Sequence, residues 1–349
     1  MNIFSWENLA KPIVCLAPMA GYTDSAYRQI VKSIAPETIC FSELTSINAL
    51  EKGSKKTERM LEYDLIEQPL IIQLFGKDPD FFKEAGKKLE KTNIAGIDIN
   101  MGCPAKKVIG SECGSALLND TALAGEIVKK LSTAVKIPIS VKMRIGYKQY
   151  DKEHFIKFIK TLEESGISSL TIHGRTTKQG YSGEANWDPI YLAKSILKIP
   201  VIGNGDVDSP QKALERLTSP DGKTTLDGIM IGRATIGNPW LLQEIQQTLT
   251  TKAISTSSKS ASASASASPS TQPTELHHEQ LPLSKKIPTI KKHLKLSLKN
   301  QGPKIGILEM RKHLAGYVQG FPGARELRSK LVRAGSEQEI LELLKEVES

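Results

Sequence analysis

The chain has 349 residues, is 39% hydrophobic and 24% charged, and carries a net charge of +9 from 47 Lys and Arg against 38 Asp and Glu. Its length fits two domains, or one α/β barrel of about 250 residues with an appendage, and its composition is that of a globular protein rather than a disordered or fibrous one. No run of about 18 apolar residues occurs, so no membrane span is expected.

The N-terminus, "MNIFSWENLAKPIVC", lacks the basic and apolar regions of a signal peptide. Cys15, Cys40, Cys103 and Cys113 show no CxxC spacing, which argues against a structural metal site and for a reducing, cytoplasmic setting. In chain order, eight short Ile- and Val-rich runs then predict strands: "IVCLA", "TICFSE", "PLIIQLF", "AGIDINMG", "IPISVKM", "SSLTIHG", "IPVIGNG" and "LDGIMIG". They read as mostly apolar throughout, as parallel strands covered on both faces should. Amphipathic segments such as "SAYRQIVKSI", "DFFKEAGKKLEK", "AGEIVKKLSTAV" and "EHFIKFIKTLEES" lie between them. Eight alternations predict a (β/α)8 TIM barrel over residues 1–250. A doubly wound open sheet is the alternative, but the first strand is not followed by the GxGxxG turn of a dinucleotide fold.

Residues 251–281 are serine-rich ("STSSKSASASASASPSTQP") and are expected to be a flexible linker or insertion. Residues 282–349 read as a small all-helical domain, with "FPG" as a turn and "SEQE" from Ser336 as a capping box opening the last helix. The excess charge is concentrated here: residues 285–333 hold 13 Lys and Arg against Glu309 and Glu326. A basic patch of this kind fits a polyanionic partner, and it equally fits a solvated helix face.

In a (β/α)8 barrel the site lies at the C-terminal ends of the strands. Those ends carry Pro18-Met19-Ala20, Glu43, Gln73, Asn100 with Cys103, Lys142 with Arg144, His173 with Arg175, Asn204-Gly205-Asp206, and Gly232-Arg233. Taken singly, each has an ordinary use as a cap, turn or satisfied core group. Converging on one face, they predict a site. The last two ends fit the phosphate-binding loops of such barrels, and that phosphate could belong to a substrate or to a flavin mononucleotide. Gln73, Lys142 and His173 could surround a flavin's polar edge, where an ammonium would stabilise the reduced ring. The thiol of Cys103, in "DINMGCPAKKV", is open to four readings: metal ligand, nucleophile, acid, or small buried residue.

These motifs resemble the tRNA-dihydrouridine synthases, most closely the B-type bacterial branch. The likeness rests on "APMAGYTDSAYR", "FSELTS", "QLFG", "DINMGCPAKKV", "GSALL", "KMRIG", "TIHGRT", "NGD", "MIGRATIGNPW" and "MRKHLAGYVQGFPGARELR", in that order along almost the whole chain. The resemblance implies an oxidoreductase that reduces the C5=C6 bond of uridine in tRNA, with a helical tRNA-binding region after the barrel. It implies FMN as cofactor, reduced by NADPH or NADH, with hydride passing from reduced FMN to C6 and a proton from Cys103 to C5. A thiol near its ordinary pKa of roughly 8.5 stays protonated at neutral pH and can serve as an acid. The family's FMN contacts fall on Pro18, Met19, Ala20, Gln73, Lys142, His173, Asn204, Gly205, Asp206, Gly232 and Arg233. Asn100, Arg144 and Arg175 match positions near the uracil or its neighbouring phosphates, and Lys106 and Lys107 are expected to meet the RNA backbone or to be solvated. A tRNA partner, no metal, no membrane and a monomeric state complete the expectation. The chain departs from the family pattern at Tyr22, where many relatives have a small or aliphatic residue, and in the serine-rich insert between barrel and helical region. An FMN enzyme of small pyrimidines and an RNA-binding barrel without catalysis are the competing readings, disfavoured by the basic region and by Cys103, Lys142 and His173 respectively.

Overall fold

The computed structural model describes residues 4–260 and 281–347. The serine-rich stretch beyond Ser260, expected to be a linker, lies outside the described residues. Eight parallel strands form a closed barrel: Ile13–Leu16, Ile39–Phe41, Leu70–Phe75, Gly96–Met101, Ile139–Arg144, Ser169–His173, Val201–Asn204 and Gly228–Ile231. The first strand pairs with both the second and the last, which shuts the ring. A two-residue strand, Thr45–Ser46, adds a further pairing along Leu74–Phe75. All eight predicted runs are strands, and the open-sheet alternative is ruled out by the closure.

The strands differ from the sequence reading in one respect. The first, second and last are apolar at every position, but the central strands set buried polar residues among the apolar ones. In the fourth strand Ile97, Ile99 and Met101 pack with the surrounding helices in the main core, while Asp98 and Asn100 are buried polar residues on the other face. At the N-terminal end of the barrel the inner positions are apolar: Ile13, Cys15, Ile39, Phe41, Ile71 and Ile202 cluster around Trp6. The polar inner positions lie above this plug, toward the cavity.

Several barrel helices start where short polar side chains satisfy free backbone N–H groups. Asp24 accepts from Tyr27 N at 2.9 Å, Asp120 from Leu123 N at 2.9 Å and Asp151 from His154 N at 2.9 Å. Pro79 and Pro210 occupy first-turn positions whose missing N–H costs nothing. The helix after the last strand runs from Trp240 to Ser260, past the expected boundary at residue 250.

The C-terminal region is helical: Leu283–Tyr317, broken by non-helical backbone at Gly302, then Ala324–Leu331 and Glu337–Lys345. It has its own apolar cluster, including Ile287, Leu294, Met310, Leu314 and Leu331. The "SEQE" cap is half of a capping box. Ser336 Oγ accepts from Glu339 N at 3.2 Å, but the Glu339 carboxylate accepts from Gly335 N at 2.8 Å rather than from Ser336. The region docks on the barrel through its first helix, which stacks His313 on Tyr27 of the Ser25–Ile34 helix at 4.9 Å between ring centroids.

Candidate active site

A cavity of 1230 Å³ opens at the C-terminal end of the barrel. Pro18, Met19, Ala20, Asn100, Cys103, Lys142, Arg144, His173, Arg175, Asn204, Gly205, Asp206, Gly232 and Arg233 all line it. Strand register places them on one rim: Asn100 stands opposite Lys142, Arg144 opposite His173, and His173 opposite Asn204. Gln73 is not in the wall. It lies fully buried beneath it, opposite Asp98.

That burial gives Gln73 a different use from a direct ligand contact. Its amide N–H donates to Asp98 Oδ2 at 2.7 Å and its carbonyl accepts from Asn100 Nδ2 at 2.8 Å. Ser140 donates to the other oxygen of Asp98 at 2.6 Å. The Asn100 carbonyl in turn accepts from Gly102 N at 3.1 Å and Cys103 N at 2.9 Å. A hydrogen-bonded chain therefore runs from the barrel interior to the backbone of Cys103. On its far side the Cys103 carbonyl accepts from the Ser115 hydroxyl at 2.8 Å. Asn100, expected at the uracil edge, borders the cavity but spends its carbonyl on the loop that carries Cys103. One amide N–H remains for a ligand.

Charge in the cavity wall is net positive, with six Lys and Arg against Glu184, Asp206 and Asp208. Burial pulls the Lys142 ammonium down to about 8, with Arg144 acting in the same direction and Asp98 opposing. Its Nζ donates to Asn204 Oδ1 at 3.1 Å, and Asn204 Nδ2 to the Met230 carbonyl at 2.7 Å. Burial, then the cations Lys142, Arg144, Arg175 and Arg233, depress the His173 imidazole to about 2. His173 is thus neutral near pH 7, and its buried Nδ1 has no hydrogen-bond partner. An unpartnered buried nitrogen beside an ammonium marks a place for a polar ligand group. Burial raises Asp98 to about 6, against the hydrogen bonds from Ser140 and Gln73. For Asp206, burial is outweighed by Arg175, the Ala185 N–H and Arg233, and its carboxyl lies below the usual range.

Arg144 and Arg175 are each only 3% exposed. Arg144 donates to the carbonyls of Gly102, Thr176 and Gly180 at 3.0, 2.8 and 2.8 Å. Arg175 makes a two-pronged pair with Asp206 at 2.8 and 2.7 Å and donates to the carbonyls of Ser182 and Gly183. Residues expected to meet the substrate thus also tie down the 176–183 loop. This loop presents a residue the sequence reading missed. Tyr181 borders the cavity, is 58% exposed, and has Arg233 over its ring at 4.3 Å and Arg144 at 5.6 Å. Nothing local in "KQGYSGE" signals this, because both cations come from other strand ends.

The other cysteines are buried away from this chemistry. Cys15 and Cys40 are fully enclosed, and burial pushes their thiols up, that of Cys40 to about 12. Cys113 donates to the Ser111 carbonyl at 3.1 Å. All four are free thiols, and among the described residues no group of three or more His, Cys, Asp or Glu could hold a metal ion. Lys106 and Lys107 are exposed on a short helical turn beyond Cys103.

The family model described as "Dihydrouridine synthase (Dus)" matches residues 15–348. The chain belongs to the dihydrouridine synthase family. It is 34% identical to a probable tRNA-dihydrouridine synthase 1 of Synechocystis sp., over 95% of this chain and 85% of the relative. It is 34% identical to tRNA-dihydrouridine synthase B of Pseudomonas aeruginosa, over 91% and 87%. A probable tRNA-dihydrouridine synthase of Rickettsia prowazekii is 35% identical, over 90% and 88%. The family model covers both the cavity-bearing barrel and the C-terminal helices.

Proposed function

We propose that this chain reduces the C5=C6 bond of specific uridines in tRNA to give 5,6-dihydrouridine. One observation carries the reading: a thiol fixed through Asn100 stands at the mouth of a cationic cavity large enough for a planar cofactor and a base. FMN, reduced by NADPH or NADH, would supply hydride chemistry there when bound. Pro18, Met19, Ala20, Lys142, His173, Asn204, Gly205, Asp206, Gly232 and Arg233 would hold it, with Gln73 supporting from below. The fit rests on the unpartnered Nδ1 of His173, the Lys142 ammonium in the cavity wall and the exposed Arg233 guanidinium. Lys142 is mostly protonated at neutral pH and offsets negative charge placed beside it.

Hydride addition at C6 leaves enolate character across C5 and the C4 carbonyl of the uracil. Cys103 gives its Sγ proton to C5, and the thiolate is reprotonated from solvent. The hydrogen bonds to the Cys103 backbone N–H and carbonyl keep that donor in place. A uridine in folded tRNA must leave its stack to reach the cavity. The basic helical region at 282–349 would hold the tRNA body through exposed residues such as Lys292, Lys295, Lys299 and Arg325. Arg311 and Arg328 are occupied otherwise, donating to the Ala334 and Val318 carbonyls. The cytoplasm, where tRNA and reduced nicotinamide meet, is the matching compartment.

The test is nucleoside analysis of unmodified tRNA incubated with the protein, FMN and NADPH. The expected product is dihydrouridine at defined positions. The Cys103→Ala variant should retain flavin and tRNA binding but lose most turnover. Reduction of free pyrimidines in preference to tRNA would refute the proposal, and so would a protein that takes up no flavin.

A further inference from the structure

Tyr22 lies where the cavity meets the helical region. Tyr22 N and Thr23 N both donate to the Met19 carbonyl, at 2.9 and 3.0 Å. This tight turn keeps Met19 and Ala20 in the cavity wall and carries the next ring, also part of that wall, toward the Leu283–Tyr317 helix. There the ring meets His313 edge-on, with centroids 5.6 Å apart and planes at 80°. The Lys312 ammonium sits over the ring at 5.3 Å and is itself paired with Glu309. His313 cannot easily move, being buried between Tyr27 and His293. The Tyr22 ring is half-buried.

Tyr22 thus belongs to the barrel but is oriented by the helical region. It is an aromatic surface in the cavity wall, with a cation against it, at the junction with the positively charged helical region. Aromatic rings flanked by cations are surfaces on which unstacked nucleobases pack, and such stacking does not depend on base identity. We propose that Tyr22 is a substrate-positioning residue. Its ring packs against a nucleobase of the RNA strand entering the cavity, and Lys312 and His313 set its orientation. The helical region would then contribute to turnover directly, by holding part of the cavity wall, as well as by binding the tRNA body. This rests on the tRNA-reductase reading above.

Steady-state dihydrouridine formation on a tRNA transcript is the test, with flavin content and flavin reduction by NADPH without tRNA measured on the same samples. Tyr22→Ala is expected to lower kcat/KM for tRNA about tenfold or more, with flavin content and reduction as in the wild type. Tyr22→Phe, which keeps the ring, should stay within about twofold, whereas Tyr22→Leu, which keeps bulk without aromaticity, should behave like Tyr22→Ala. Lys312→Met should fall between, because it frees the ring without removing it. The proposal is overturned if Tyr22→Ala or Tyr22→Leu matches the wild type on tRNA, or if the loss appears equally in flavin reduction. A wild-type protein that forms no dihydrouridine would instead refute the underlying reading, and that outcome is visible without any variant.

Discussion

Replacing Gly237 with alanine tests how the helical region is attached to the barrel. Gly237 has φ +73°, and a Cβ built on it would fall onto the Gly316 carbonyl and the Tyr317 nitrogen. From the other side, a Cβ on Gly316 would lie 2.8 Å from the Ile236 carbonyl oxygen and 3.0 Å from Gly237 N. Two backbones therefore touch, with no side chain between them to give way. The left-handed conformation alone costs a non-glycine residue about 1 kcal/mol or more. Forcing extra volume between packed segments typically costs a further 1–3 kcal/mol or so. Gly222 separates the two contributions, since it has the same φ of +73° with nothing within 4 Å of its would-be Cβ. Urea unfolding followed by circular dichroism should show Gly222→Ala losing about 1 kcal/mol. Gly237→Ala should lose about 2–4 kcal/mol, or show a separate early transition as the helices detach. Equal losses in the two variants would refute the close-contact reasoning. Gly316→Ala adds an independent check. On helix propensity alone it should stabilise, by up to about 1 kcal/mol, so a stabilised Gly316→Ala protein would contradict the same packing.

Other outcomes follow from the cavity and from the basic helical region. Asn100→Ala removes the acceptor for Gly102 N and Cys103 N and the donor to Gln73, so turnover on tRNA should drop about 10- to 100-fold, the equivalent of about 1.4–3 kcal/mol; tRNA affinity by filter binding should barely change, and unchanged turnover would mean the loop holds Cys103 unaided. Lys142 titrates near 8 in the fold, below the usual lysine range. Because the folded pKa is lowered, the unfolded chain binds more protons between about pH 8 and the model-peptide value near 10.4, so stability should rise across that window relative to Lys142→Met. FMN affinity should fall as pH rises through about 8 and be flat in the variant; parallel curves for the two proteins would refute the assignment. Lys295→Glu and Lys299→Glu, both on the exposed face of the long C-terminal helix, should weaken tRNA binding and reduce the salt slope by about one per lost phosphate contact, and an unaltered slope would remove that face from the RNA-binding surface.

The sequence by itself determined the barrel and the address of the candidate site. Parallel strands covered by helices need branched apolar residues at fixed spacing, and eight such runs, with amphipathic segments between, leave little else to form. Chain direction then dictated that residues ending those runs, such as Asn100, Lys142, His173 and Asn204, share one rim. Which of these would touch a ligand and which would support another residue was decided by the tertiary structure. Gln73 and Asn100 look alike as strand-end amides. Barrel register puts Gln73 opposite Asp98 and one layer down, so it became a link to the Cys103 loop. Arg144 and Arg175 match positions near the uracil or its phosphates, but the 176–183 loop folds back so that its carbonyls meet their donors. Tyr181 and Tyr22 had no visible role, because their cations come from Arg233 and Arg144 in one case and from Lys312 in the other. The Gly237–Gly316 contact joins segments about 80 residues apart. Periodicity and capping are local and can be read along a chain; hydrogen-bond partners, cation–ring pairs and backbone contacts depend on which elements closure brings together.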